Sequence, residues 1–129
     1  MWAIVQHGPH VSTEVGGIID SGSVANLTSI SLARRLLGMS QDDVKKTGRK
    51  TAFSGLNAKS CPAYGFQVNL NLRATLGTMK SFALPNAWLY FYDSELPYQI
   101  LIGQSHGLQG RAFFHLNGGR KQHWTLRDL

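Results

Sequence analysis

Gly17-Ile18-Ile19-Asp20-Ser21-Gly22-Ser23 is an apolar run that ends abruptly in an acid, a hydroxyl residue and a glycine. An aspartate at the end of a buried strand is costly unless its charge is paired or shared. Gly22 permits a backbone approach that a side chain would block. Ser21 brings a hydroxyl able to bond locally or across an interface. The same residues also suit an ordinary turn or a helix N-cap, so the segment takes its meaning from its surroundings.

Upstream, residues 2–6 read as a short strand, broken by Gly8-Pro9. Residues 11–15 alternate and lead through Gly16-Gly17 into Ile18-Ile19, predicting a hairpin that delivers Asp20 to a loop. Downstream, Ile30, Leu32, Ala33, Leu36 and Leu37 fall at helical spacing over residues 29–37, with Gly38 as the stop. Residues 41–50 are polar and read as a surface loop. Residues 51–54 and 61–72, where Phe66, Val68, Leu70 and Leu72 alternate, predict a hairpin with a glycine- and asparagine-containing tip. Residues 78–84 and the aromatic stretch 88–92 read as two strands separated by Pro85-Asn86. Ile100-Leu101-Ile102-Gly103 reads as an apolar strand ending in glycine. Residues 105–109 suggest one helical turn, and 111–116 with 121–126 flank Asn117-Gly118-Gly119 as a further hairpin.

The expected class is therefore all-β with one short helix, in a single domain over residues 1–129. Hydrophobic residues make up 43% of the chain and charged residues 16%, which favours a packed core over disorder. The net charge is +6, but the basic residues are scattered in pairs such as Arg34-Arg35 and Lys45-Lys46. No basic arm results, so nucleic acid is not the expected partner. Cys61 is the single cysteine, so no intrachain disulfide can form. Met1 to Val5 lacks the pattern of a signal peptide, and no stretch has the length of an apolar membrane span. A soluble, intracellular domain is expected.

The order of parts sharpens the reading of Asp20. An apolar strand ends in Asp20-Ser21-Gly22, a hairpin follows about 35 residues later, and Ile100-Leu101-Ile102-Gly103 comes about 80 residues after the aspartate. In this order the parts resemble the retropepsin-like aspartic proteases, the single-lobe proteases of retroviruses and retrotransposons. Ile18 to Ser23 followed by Leu32-Ala33-Arg34-Arg35-Leu36 is most similar to the peptidase domains of long-terminal-repeat retroelements of the Pao/BEL type. The resemblance spans residues 15–126.

That resemblance implies a small closed β-barrel, active as a homodimer, with no cofactor and no metal. Asp20 would be the catalytic aspartate, Ser21 the hydroxyl bracing two active-site loops, and Gly22 the residue that lets them meet. Residues 52–64 would form a flap, with Phe53, Ser54, Gly55, Leu56 and Asn57 toward the substrate. Ile100–Gly103 would pack beneath the active-site loop. The implied substrate is a peptide or polyprotein, and the implied location is cytoplasmic or within a virus-like particle.

The chemistry sets its own requirement. Peptide hydrolysis without a metal or a covalent intermediate needs an acid and a base at one water, and paired carboxylates sharing a proton supply both. Among seven acids, only Asp20 follows an apolar strand and precedes a hydroxyl-glycine pair. A second carboxylate would have to come from a second copy.

The sequence departs from the family in three places. Retroviral members carry Arg followed by Asn or Asp after the second glycine, where this chain has Gln104-Ser105-His106. Residues 55–60 hold fewer glycines than retroviral flaps. Residues 111–126 read as a complete hairpin, suggesting an interface built from hairpins within each chain. Trp2 and Trp124, near the two ends, are candidates for an intersubunit sheet.

Other chemistries fit less well. Asp42-Asp43 are neighbours on a polar stretch and read as solvated surface. His7 and His10 have a metal-compatible spacing but flank a Gly-Pro turn, with no zinc-helix glutamate. His106 reads as a loop histidine. Gly103-Gln104-Ser105-His106-Gly107 matches a nucleophile-elbow pattern, yet that reaction needs a parallel sheet with several crossover helices. The aromatic stretch 88–92 could stack nucleobases, though such a strand is more often core and interface. The alternatives to a protease are a binding or dimerisation module on the same fold and a small basic nucleic-acid-binding barrel.

Overall fold

The computed structural model describes residues 1–20, 22–54, 60–76 and 78–103. Within them the chain forms β1 (Trp2–His7), β2 (His10–Val11), β3 (Val15–Asp20), β4 (Asn26–Ser29), a 3-10 turn (Ile30–Leu32), α1 (Ala33–Leu37), α2 (Gln41–Thr47), β5 (Arg49–Ser54), β6 (Ser60–Leu76), β7 (Thr78–Tyr92) and β8 (Ile100–Gly103). The sheet order is β2-β1-β3-β8-β4-β7-β6-β5, and an additional β1–β6 pairing closes six of these strands into a barrel. The all-β barrel expected from the sequence is what the chain adopts. Trp2 and Ala3 form the seam, pairing with Gly16 and Val15 on one side and with Arg73 and Leu72 on the other. Trp2 is thus paired on both sides within its own chain, and Trp124 lies outside the described residues.

Alternation builds the barrel interior. Val68, Leu70 and Leu72 of β6 face inward, and Ala3, Val5, Val15, Leu89, Phe91, Ile100 and Ile102 meet them, each at most 3% exposed. Burying a side chain such as Phe91 contributes about 1.5–3 kcal/mol. The 3-10 turn and α1 fall inside the predicted helix, and Gly38 ends it at φ 71°, a conformation glycine adopts without a Cβ penalty. α1 is too short to stand alone. Ala33, Leu36 and Leu37 hold it on the core.

Two expectations need correction. Residues 41–50 do not form a loop. Gln41–Thr47 is a second helix, capped by Ser40 Oγ accepting from the Asp43 N–H at 3.2 Å, with Asp42 and Asp43 in its first turn and Lys45 and Lys46 near its end. This charge order matches the helix dipole, and Val44 is its buried anchor. Residues 78–84 and 88–92 are not separate strands. β7 runs through Pro85-Asn86 by a bulge, where the register against β6 shifts between Val68 and Leu70. Asn86 takes φ 54°, and its N–H donates to Asn69 Oδ1 at 3.0 Å. The extra residue flips parity, so Leu84 is inward before the bulge and Leu89 and Phe91 after it.

Candidate active site

β3 delivers Asp20 through a close backbone crossing. It pairs in parallel with β8, Gly17 opposite Ile100 and Asp20 opposite Gly103, so both strands end at the same level. A Cβ on Gly17 would collide with the Ile100 carbonyl oxygen. Glycine is therefore required by contact at this crossing. β8 lies beside β3 in the sheet, and its last residue, Gly103, packs closely against the Ser23 and Ala25 carbonyls of the segment that follows Asp20.

Beyond the strand the chain turns sharply. The Ser23 N–H donates to the Asp20 carbonyl at 3.0 Å, and the Gly22 N–H donates to Asp20 Oδ1 at 2.9 Å. One carboxylate oxygen is thus oriented by the turn that follows it.

β4 anchors the far side with polar side chains in buried positions. Asn26, only 3% exposed, accepts from the Gly103 N–H with Oδ1 at 3.0 Å and donates from Nδ2 to the Trp88 carbonyl at 2.9 Å. Thr28 Oγ1 donates to the Gln99 carbonyl at 2.7 Å, and Ser29 Oγ accepts from the Leu96 N–H at 2.9 Å. These three side chains of β4 fix β8 and the segment leading into it. Buried polar groups are tolerable only when satisfied in this way.

Asp20 opens onto a cavity of about 590 Å³, bordered also by Gly22, Val24, Leu27, Phe53, Tyr98 and Leu101. Phe53 stands on β5, opposite Cys61 on β6, at the base of the predicted flap. The Tyr92 hydroxyl donates to the Phe53 carbonyl at 3.2 Å and ties that base to β7. Burial pushes the Tyr98 phenol above its ordinary value, and the neighbouring Asp20 carboxylate adds to the shift. Burial, and then the Cys61 thiol, do the same for Tyr92. Both phenols therefore stay protonated past the usual tyrosine range. The cavity combines an oriented carboxylate, phenolic donors and an apolar wall.

Of the residues singled out from sequence, Asp20, Gly22 and Phe53 converge on this cavity. The Ser54 backbone closes the β5–β6 ladder against Ser60. Ser21, Gly55, Leu56 and Asn57 lie outside the described residues, as do Ser105, His106 and the predicted hairpin of residues 111–126. The sequence reading missed Asn26, Thr28, Ser29, Val24 and Tyr98. The available signal was Asn26-Leu27-Thr28-Ser29, a short polar-apolar alternation directly after the Asp20 loop. Val24, beside that loop, is 81% exposed.

His7 and His10 are engaged elsewhere. The His7 ring meets Phe66 edge-on, and His10 Nε2 lies 2.9 Å from the Arg35 carbonyl. Among the described residues, no three His, Cys, Asp or Glu side chains are grouped to hold a metal, and no helix is long and apolar enough to cross a membrane. Compared with protein-family models, curated proteins and solved structures, the chain gives no match.

Proposed function

We propose that this chain is a retropepsin-like aspartic endopeptidase that works as a homodimer and cleaves extended peptides, in the processing of a polyprotein in the cytoplasm or within a virus-like particle. The observation that carries the proposal is Asp20. It ends a strand locked in parallel to β8, has one oxygen oriented by the Gly22 N–H, and opens into a cavity that Phe53 of β5 and Cys61 of β6 also line.

One carboxylate is half of the required chemistry. In the dimer, Asp20 of one protomer and Asp20 of its partner would lie about 3 Å apart and share a proton, since both cannot easily ionise at that distance. The ionised carboxylate takes a proton from water as the water oxygen attacks the scissile carbonyl carbon. The protonated one donates to the carbonyl oxygen. Collapse of the tetrahedral intermediate breaks the C–N bond, and the departing amine takes up a proton. The β5–β6 hairpin would cover the substrate and pair with its backbone, as a strand edge does.

The test compares wild type with Asp20→Asn on a peptide library at mildly acidic pH. Loss of general acid–base chemistry lowers turnover by about 10²–10⁴-fold, so the variant should fall at least a hundredfold. Equal turnover in the two proteins ends the proposal. Activity per chain should also drop on dilution, as the dimer dissociates.

A further inference from the structure

We infer that the face of β5, β6 and β7 beside the Asp20 cavity is a second subsite for the peptide, where Arg49, held over the Trp88 ring, takes an aspartate or glutamate side chain and Trp88 and Tyr90 take its apolar neighbour. This inference rests on the peptide-cleaving reading and names the substrate class of that site: peptides with an acidic residue some way from the scissile bond.

A row of rings leads out of the cavity. Phe53 lines the cavity and meets the Tyr90 ring edge-on, with centroids 5.2 Å apart. Tyr90 stacks with Trp88 at 6.1 Å and 22°. At these spacings the three rings cover about three residues of an extended chain, which rises ~3.3 Å per residue. Gly65 of β6 lies opposite Tyr90, and a Cβ there would come within 2.6 Å of the Tyr90 ring and 3.1 Å of the Trp88 ring. The two rings therefore fill the space that a side chain on β6 would take. Both remain half-buried, with surface left for a ligand.

Arg49 ends the row. Its guanidinium carbon sits 5.0 Å from the centre of the Trp88 ring. β5 is the outermost strand of the sheet, and Arg49 is exposed on it. The guanidinium makes no hydrogen bond or ion pair among the described residues, where Lys45 pairs with Asp93 and Arg73 with Glu14. A guanidinium over a ring is held through its face, and its N–H donors lie in its plane. They stay open to a carboxylate, which matches their fork with two parallel bonds. Trp88 thus pre-positions the charge, so less entropy is lost when an anion pairs with it. The net charge of +6 adds a general attraction for acidic peptides. Continuity with the cavity favours a peptide over a nucleic acid, because one extended chain can lie against Phe53 in the cavity and reach Arg49 along the same rings.

The experiment uses the 129-residue protein and peptides sharing one cleavable bond, with glutamate, glutamine or arginine walked outward from it. Two readouts run in parallel: kcat and KM for wild type, and Kd for Asp20→Asn by fluorescence anisotropy. At one position, about three to five residues from the bond, glutamate should be preferred over glutamine about fivefold, the upper scale of a solvent-accessible ion pair. The gain should lie in KM and Kd, with kcat unchanged, as for binding that acts equally before and during the reaction. Arg49→Glu should reverse the preference toward arginine, a change that misfolding cannot produce, and Trp88→Ala should weaken it. Equal handling of glutamate and glutamine at every position overturns the inference, as does a preference that survives Arg49→Glu. Arg49-dependent binding of oligouridylate, with no acidic preference among the peptides, assigns the face to nucleic acid and overturns it too. The two proposals fail separately. Cleavage without an acidic preference sinks only this one, whereas binding that prefers glutamate through Arg49, with no cleavage at all, sinks the peptidase reading and leaves the subsite standing.

Discussion

The β3–β8–β4 joint and the β6–β7 hairpin belong to one sheet and are held by different means. The hairpin is long, 17 residues against 15, and antiparallel throughout, with an inward apolar set that repeats every second residue along β6 and changes parity once along β7, at the bulge. The joint is short. It mixes a parallel pairing with an antiparallel one and relies on single atoms: the bare Cα of Gly17, the amide of Asn26 and the hydroxyls of Thr28 and Ser29. A repeated pattern spreads its stability over many interchangeable contacts. A joint made from single atoms gives each of them a large effect, and this is the part of the molecule that aims Asp20.

Matched substitutions can break that contrast. The largest difference is expected at glycine. Gly17→Ala meets backbone at Ile100, whereas Gly65→Ala in β6 meets side-chain atoms alone, the Tyr90 ring at 2.6 Å and the Trp88 ring at 3.1 Å. We expect a loss of about 3 kcal/mol at Gly17 and about 1 kcal/mol at Gly65, read from urea unfolding. Equal losses would remove the steric half of the contrast.

Asparagine gives the next largest difference. Asn26→Ala strands the Gly103 N–H and the Trp88 carbonyl in the interior and should cost about 2 kcal/mol. Asn69→Ala removes one bond at an exposed bulge and should cost less than about 0.5 kcal/mol. Activity should fall further in Asn26→Ala than its lost stability explains, because β8 would no longer hold its level with Asp20.

The smallest effect is expected from pH and sharpens the border between the two regions. Tyr92 ends β7 and lines the cavity, and burial raises its phenol above the ordinary value near 10. Above pH 10 the unfolded chain releases this proton while the folded chain keeps it. The unfolded state then binds fewer protons, so stability falls as pH rises from about 10 through the folded value. Below pH 10 the contribution is fully present. Tyr92→Phe should flatten this alkaline decline and cost about 1 kcal/mol at neutral pH for the lost Phe53 bond. Urea midpoints at a series of pH values from 8 to 11 check both.

The same contrast explains what was legible in the sequence. The hairpin strand 61–72 announced itself through Phe66, Val68, Leu70 and Leu72, because alternation is local. Asp20-Ser21-Gly22 and Ile100-Leu101-Ile102-Gly103 stood out as separate motifs, but their edge-to-edge parallel pairing did not, since nothing in either segment states its partner. The β7 bulge hid a continuous strand because the parity flip at Asn86 makes one strand look like two. The helix Gln41–Thr47 escaped notice for a different reason. It buries one apolar residue, Val44, so the usual periodicity is absent and only the Ser40 cap and the order of charges mark it. Asn26 and Thr28 were overlooked because a polar side chain in a short strand reads as surface until its buried partners are known.

The parallel pairing has a consequence for how the protein is made. Gly16 and Gln99, bonded across 83 positions of sequence, leave a ribosome far apart in time. β3 is synthesised early and keeps an unpaired, apolar edge until β8 has emerged, while the β6–β7 hairpin can form from neighbouring residues as soon as it clears the exit tunnel. Long-range pairing of this kind is the slow step of folding and the one most open to wrong partners. The Asp20 turn would therefore be among the last features to settle, and a nascent chain that does not yet include Gly103 cannot assemble it.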